Sequence, residues 1–570
     1  MIKDRLKIAL WLSIGMFFVP TIVWAQVIIT GTVSDSYGPV IGANIIEKGT
    51  TNGVISDING DFKLQVSNTK KTIIKVSYVG YKDKEIPLNG KVKFHINLEE
   101  DSETLQEVTV VAYGIQKKET LTGAISSVKT DALLASPNAS VANSLAGKIT
   151  GLSSVQNSGQ PGAEDPKIFV RGVGSLTEGG AAPLTLVDGV ERNFYQMDPN
   201  EIESITVLKD ASATAVFGVR GANGVILVTT RRGTDSRAKI SLSSSVGISQ
   251  IAQWVEMSDV YTYAQLYNEQ ERNDGREEIF KPYDLDRFEK GDNPIMYPNI
   301  NWRDYMVKTA SIQAQHNLNL SGGTDKIRYF VSVGFLYQDG LLKDFGTNDS
   351  YKYKRYNYRT NLDYSMTKST TLKLGIDGIV GDRQEPTNTN IWKDLSISQP
   401  FSGPGLVNGK PMTSKEHYSS ILYRNPFIIT YGKGHSNNVA NTMNLDLHLV
   451  QNLNFITKGL SVEVKGAYNT DYSVITIRRG NIETYTPYFE SEINGSELNV
   501  GDSDFNYNIV HRISGINSKD SWEQNNNRGR NWYFETNARY NRKFNNHNMG
   551  VLSLYNQNKK YYGPCAKVRG

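Results

Sequence analysis

LKDASATAVFGVRGANGVILVTTRRG, Leu208 to Gly233, places a run of very small residues directly beside a rigid one. Ala211 to Phe217 reads as a short Ala/Ser/Thr helix, and Gly218 to Gly224 as a glycine-rich turn. Val225 to Thr230 is a β-branched strand closed by Arg231 and Arg232. Working outward, PKIFVRGVGS and PLTLVDGVE are strands ending in glycine turns, and SITVLKD is another. Val141 to Leu152 reads as a short helix, and Pro199 opens a helical turn. Residues 121–233 therefore form one compact α+β unit.

The flanks differ in texture. Residues 26–100 carry short strands such as GDFKLQV and TIIKVSYVGY, punctuated by Gly, Asn and Asp, and read as a β-sandwich. Asp57-Ile58-Asn59-Gly60-Asp61 lacks the spacing of a calcium loop and reads as a hairpin turn. Residues 101–120 are a linker holding one β-prone run, Glu107, Val108, Thr109, Val110, Val111, Ala112, Tyr113 and Gly114. With no strand partner in its own neighbourhood, this run fits strand addition to another protein, or an edge strand of the next domain.

From residue 234 onward, alternating segments follow one another. In KRYNYRTNLDY, Tyr356, Tyr358, Thr360, Leu362 and Tyr364 alternate with Asn357, Arg359, Asn361 and Asp363; NTMNLDLHLV repeats the pattern. Such strands bury one face in something apolar and turn the other to water. A soluble sandwich or propeller would show the same alternation. Strands of about ten residues or more, with aromatics near their ends, favour a membrane barrel. The fold class is thus mainly β: a sandwich, an α+β unit and an antiparallel barrel.

Composition narrows the function. The net charge of +4 is scattered rather than gathered into a basic face, which argues against nucleic-acid binding. The single cysteine, Cys565, permits neither an internal disulfide nor a thiolate metal cluster. The seven histidines make no HExxH or HxH pair, so no metal site is expected. Gly147-Lys148 is no P-loop, Gly172-Val173-Gly174 is no dinucleotide fingerprint, and no nucleophile elbow occurs; neither enzyme activity nor a cofactor is expected. Lys3, Arg5 and Lys7, an apolar run from Ile8 to Val19, and Val23-Trp24-Ala25 form a signal peptide over residues 1–25, so the chain is exported.

IFVRGVGS, PLTLVDGV and MDPNEIESITVLKDASATAVFGVRGANGVILVTTRRG together resemble the plug of the SusC/RagA family of TonB-dependent outer-membrane transporters. GTTNGVISDINGDFKL and VSYVGYK resemble the carboxypeptidase regulatory-like module of exported Bacteroidota proteins, a β-sandwich without peptidase activity. The plug motifs are Arg171, Gly172, Asp188, Gly189, Lys209, Asp210, Gly218, Arg220, Gly221, Asn223 and Gly224. The resemblance implies a plug lodged inside a barrel, with Ala211 to Ala215 letting its helix pack closely on the plug sheet. Arg231 and Arg232 would lie near the barrel entrance, or simply be solvated. It also implies that Glu107 to Gly114 is a TonB box, gripped through its backbone by TonB and the inner-membrane energising complex. The implied location is the outer membrane in contact with its lipid. The implied activity is import of an oligosaccharide or peptide with a SusD-like surface lipoprotein. Tyr485 to Phe489 would be an aromatic loop, serving a glycan or anchoring at the interface. Two other readings are a surface adhesion or binding protein without transport, and a non-functional fragment.

Length completes these expectations. A large plugged barrel has about 22 strands, whereas residues 234–570 show roughly nine or ten. Asn268 to Pro298 and Gly381 to Asn438 read as long loops. The end, NQNKKYYGPCAKVRG, lacks an aromatic closing strand, so a truncated or frameshifted product is expected.

Overall fold

The computed structural model describes residues 27–35, 38–50, 52–66, 72–78, 81–99, 108–111, 114–117, 125–136, 138–175, 180–347, 350–414, 425–480, 482–489, 507–512, 521–544, 547–563 and 566–569. Glu107, Ala112, Tyr113, Cys565 and the signal peptide lie outside them. The chain divides into two units, one holding the N-terminal sandwich and the other holding plug and wall.

In the first unit, Val27–Ser34 lies between Asp61–Val66 and Lys93–Asn97, and a second sheet joins Gly53–Ile55, Asn44–Glu47, Ile73–Ser77 and Lys84–Pro87. Asp61–Val66 buries every second residue, so Phe62, Leu64 and Val66 meet Ile29, Ile45 and Val76 in one apolar core. The Asp57 turn is a hairpin connection, its carboxylate accepting the backbone N–H of Asn59 and Asp61, each at 2.9 Å. Val108–Val111 pairs with Gly114–Lys117 in a two-stranded sheet. The β-prone run therefore has a local partner, contrary to the sequence expectation, because the short connection lets the chain fold back on itself.

The plug is a five-stranded sheet ordered Ile125–Lys129, Ile202–Leu208, Val225–Thr230, Leu184–Val187 and Val190–Glu191. Val225–Thr230 lies centrally, which is why it is β-branched and nearly all buried. The helix expected over Ala211 to Phe217 is α-helical only over Ala211–Thr214 and tightens into a 3₁₀ segment, Ala215–Gly221. Thr214 is buried while Ala211, Ser212 and Ala215 are exposed. Only Ala213 and Phe217 of this segment reach the apolar cluster of Leu186, Leu208, Val225 and Leu227. The smallness of the run therefore does not serve close packing along its whole length. Val141 to Leu152 likewise shortens to an α-helix over Val141–Ser144. Gly224 has φ +86°, and a Cβ there would lie 2.9 Å from Val170.

The wall is one antiparallel sheet running from Lys239–Ser249 through Ser311–Gly323, Ile327–Asp339, Lys352–Ser365, Thr370–Pro386, Gly434–Asn452, Leu460–Arg479 and Ser521–Phe544 to His547–Tyr562. Ala566–Arg569 also pairs with Ser521–Phe544. Connections at one end are short and those at the other long, as in outer-membrane barrels. The long connections are not loops throughout. Helices Val260–Asn273, Pro282–Lys290 and Ile391–Ile397 and a sheet of Gly405–Val407, Lys410–Met412, Thr484–Phe489 and Tyr507–Arg512 occupy them. Phe280, Phe288, Tyr297 and Phe401 give this cap an aromatic core. Tyr485 to Phe489 is accordingly a strand. No helix among the described residues is long and apolar enough to cross a membrane.

Two glycines separate strain from crowding. Gly224→Ala meets both a left-handed backbone and Val170, while Gly218→Ala (φ +58°) meets nothing within 4 Å. Gly224→Ala should cost more, about 1–3 kcal/mol from the backbone strain before any clash is counted. Thermal unfolding of the two variants in detergent, with Gly224→Ala melting lower, checks this.

Candidate functional site: the plug seat in the barrel wall

The strand Lys352–Ser365 shows how the seat is built. Tyr356 and Tyr364 are 47% and 40% exposed, whereas Arg355, Asn357, Arg359 and Asn361 are at most 2% exposed. The apolar face thus points outward and the polar face is buried against the plug. This corrects the expectation that the polar face meets water: the plug takes water's place.

Each buried polar residue of this strand has a plug partner. Arg355 Nη1 donates to the Ala139 carbonyl at 2.8 Å, and Asn357 Nδ2 to the Gln196 carbonyl at 2.8 Å. Arg359 Nε reaches Glu201 Oε2 at 2.9 Å, and its Nη1 lies 3.1 Å from Asp377 Oδ1. Asn361 Nδ2 donates to Thr230 Oγ1 at 3.0 Å and to the Arg231 carbonyl at 2.6 Å. Arg232 pairs with Asp363 at 2.5 Å, so this arginine is not simply solvated.

A second anchor comes from the plug side. Arg192 grips Asp446 through both Nη atoms, each at 2.7 Å, and donates Nε to Asn469 Oδ1 at 2.8 Å. Such two-pronged pairs are directional as well as strong. Lys465 donates to the carbonyl of Asp188. Glu191 receives Arg220 from within the plug and Lys560 of the wall at 3.1 Å.

The motif residues fall mainly inside the plug. Asp188 (φ +48°) and Gly189 (φ +84°) make the two-residue hairpin turn that an Asp-Gly pair favours. Asp188 accepts from the backbone N and Oγ1 of Thr230 at 3.0 and 2.6 Å. Burial alone would push this carboxyl up; Arg232, Arg359 and the Thr230 bonds outweigh it and hold it below the ordinary range. Arg171 (φ +60°), in the turn with Gly172, pairs with Asp210 at 2.5 Å. Lys209 donates to Ser126 and to the Thr150 carbonyl, and Asn223 to the Gly180 carbonyl. A Cβ on Gly221 would lie 2.9 Å from the Thr214 carbonyl. These residues staple the plug rather than forming a ligand site. The seat residues Arg192, Glu201, Arg355 and Asp446 were not singled out in the sequence. The available signal was Arg355 and Arg359 in the polar phase of an otherwise tyrosine-rich strand.

At the long-connection end, a plug loop meets the wall rim. Gln160 Nε2 donates to the Tyr351 hydroxyl at 3.0 Å, and Gln338 Nε2 to Glu164 Oε1 at 2.9 Å. Burial pushes the Glu164 carboxyl up to about 7, against the Gln338 bond and the charge of Arg355, which hold it down.

A globule held by buried polar pairs against a sheet with an apolar exterior is the arrangement of part of a plugged β-barrel. Residues 29–110 match the CarboxypepD_reg-like domain, and residues 117–225 the TonB-dependent Receptor Plug Domain. The chain is 34% identical over 353 residues to the TonB-dependent receptor SusC of Bacteroides thetaiotaomicron, covering 59% of this chain and 32% of that protein. It is 32% identical over 357 residues to the TonB-dependent receptor P3 of Formosa agariphila, covering 61% and 32%. The chain thus spans about a third of the length of these curated relatives. The fold also resembles the RagAB peptide importer in its closed-closed state, with a TM-score of 0.54 at 18% identity over 79% of this chain and 52% of that one. These findings bear out the resemblance to the SusC/RagA family and the outer-membrane location.

Two predictions follow from the seat. Arg359→Met leaves the buried carboxylate of Glu201 without its cation, while Asp377 keeps Arg192 at 3.9 Å, and should cost about 3–5 kcal/mol. Adding Glu201→Gln should recover part of this, as read by chemical denaturation of both variants in detergent. For Glu164, the folded state holds the proton more tightly than the unfolded chain, so stability falls as pH rises from about 4.5 towards about 7. Glu164→Gln should flatten this dependence, seen as a smaller difference between melting temperatures at pH 5 and pH 8.

Proposed function

We propose that the chain works in TonB-dependent import across the outer membrane, taking an oligosaccharide or peptide with a SusD-like surface lipoprotein. The observation that carries this reading is the nature of the seat. The plug is fastened to the wall mainly by ion pairs and hydrogen bonds, with one small apolar cluster of Ala139, Leu336 and Tyr353 beside them. A fastening of that kind suits a part that must be pulled aside and return. The family resemblance and the peptide importer named for RagAB support the class of activity.

TonB would grip Val108–Val111. An isolated two-stranded hairpin is marginal in water, so exchanging Gly114–Lys117 for a strand of another protein costs little. Arg192, Arg359 and Asn361 would hold the plug until the pull arrives. Proline at position 108 removes a backbone donor from that strand. Val108→Pro should therefore abolish capture of the purified TonB C-terminal domain in a pull-down, and unchanged capture would move the box elsewhere. Deleting residues 107–114 should also stop ligand uptake; an adhesion protein would be indifferent to that deletion.

A further inference from the structure

The outward face of the last wall strands turns from apolar to cationic at one level. Along Ser521–Phe544, Trp532, Phe534 and Phe544 are 55%, 44% and 44% exposed, and a period of two puts Arg528 and Arg530 on their face. Trp532 and Phe544 bracket a strand length that crosses a bilayer, for which about 9–11 tilted residues suffice. Register carries the Trp532 level sideways: Leu445 stands opposite Tyr468, Tyr468 opposite Trp532, and Trp532 opposite Lys559. One step further towards the long connections, Thr470 faces Arg530 and Arg530 faces Tyr561. Beyond that, Tyr472 faces Arg528.

Two of these cations share one ring. The Arg530 guanidinium carbon lies 4.9 Å from the centroid of Tyr561, and the Lys559 ammonium 5.1 Å from the same centroid. Among the described residues, no ion pair joins Arg528, Arg530 or Lys559 to a carboxylate. Asp471, next along from Thr470, stands opposite Gly529 on the other face of the sheet. Like charges gathered on one face of a sheet repel, so the group is short of an anion. The Tyr468 and Trp532 rings, with centroids 4.6 Å apart, lie one step nearer the apolar belt. Aromatics at that place mark the level of lipid headgroups.

We propose that Arg528, Arg530 and Lys559 are a docking surface for the phosphate headgroup of an anionic outer-leaflet lipid. Long connections lie on the outer side of such barrels, which puts this surface in the outer leaflet. A guanidinium fork takes two phosphate oxygens at once, and the Lys559 ammonium adds a compact charge. The acyl chains continue along the apolar face past Trp532 and Phe534. A free phosphate ion would use the cations but not that apolar face, so the lipid is the better-matched occupant.

Native mass spectrometry of the full chain in neutral detergent tests this, with phosphatidylglycerol, chain-matched diacylglycerol and inorganic phosphate as probes. Phosphatidylglycerol adducts should survive, diacylglycerol adducts should be scarce, and equimolar inorganic phosphate should not displace the lipid. Arg530→Gln should weaken phosphatidylglycerol binding about tenfold, the loss of one charge-assisted contact, and adding Lys559→Gln should weaken it further. Arg530→Lys keeps the charge but loses the fork, so its binding should fall between wild type and Arg530→Gln. Lys63→Gln makes the same change of charge at an exposed position of the N-terminal sandwich and should leave binding intact. Equal binding of the two lipids, displacement by inorganic phosphate, or undiminished binding by Arg530→Gln and by the double variant overturns the proposal. A loss for Lys63→Gln as large as that for Arg530→Gln overturns it too, because binding would then follow net charge alone.

Discussion

A charged side chain removed from water needs a partner, and the wall of this protein buries a row of them. Its strands are inside out relative to a soluble sheet, with tyrosines facing outward and Arg355, Asn357, Arg359 and Asn361 facing in. Those inward groups persist only because the plug supplies Ala139, Gln196, Glu201 and Thr230 at matching heights. Plug and wall therefore recognise each other mainly by polar geometry, with only the small cluster of Ala139, Leu336 and Tyr353 as shared apolar area. A slip of one residue along Lys352–Ser365 would turn tyrosines inward and arginines towards lipid.

The same constraint separates two kinds of cohesion. Inside the plug, Ile205, Val207, Ile226 and Val228 pack with Leu133, Leu145 and Ile168, and this apolar core holds wherever the plug goes. At the seat, most contacts are hydrogen-bonded or ion pairs, with Ala139, Leu336 and Tyr353 as a small apolar exception. The plug strand Ile125–Lys129 sits at the sheet edge and pairs only with Ile202–Leu208. The other edge strand, Val190–Glu191, likewise pairs only with Leu184–Val187.

The cap extends this logic to the long-connection end. Its aromatic core is independent of the wall's polar face, and Tyr351 bridges the two: its hydroxyl meets Gln160 of the plug and its ring stacks on Trp392 of the helix Ile391–Ile397. This buried residue therefore touches both plug and cap.

Alternation in KRYNYRTNLDY, the Asp-Gly hairpin at 188–189 and the central strand Val225–Thr230 were legible in the sequence because each is a local rule: period two, two positive φ angles, β-branching. Helix extent was less legible. Ala211 to Phe217 has small residues of fair propensity, but the chain tightens at Gly218 and packs only two of its side chains. The cap was missed because Tyr263, Phe280 and Phe401 form one core from segments distant in sequence. Sequence by itself determined that segments such as KRYNYRTNLDY and NTMNLDLHLV make two-faced strands and that a plug precedes them. Only the tertiary structure decided that the polar face meets protein rather than water, and that Arg192 finds Asp446. Partner choice between charges some 250 residues apart depends on strand register and height, which no local pattern encodes.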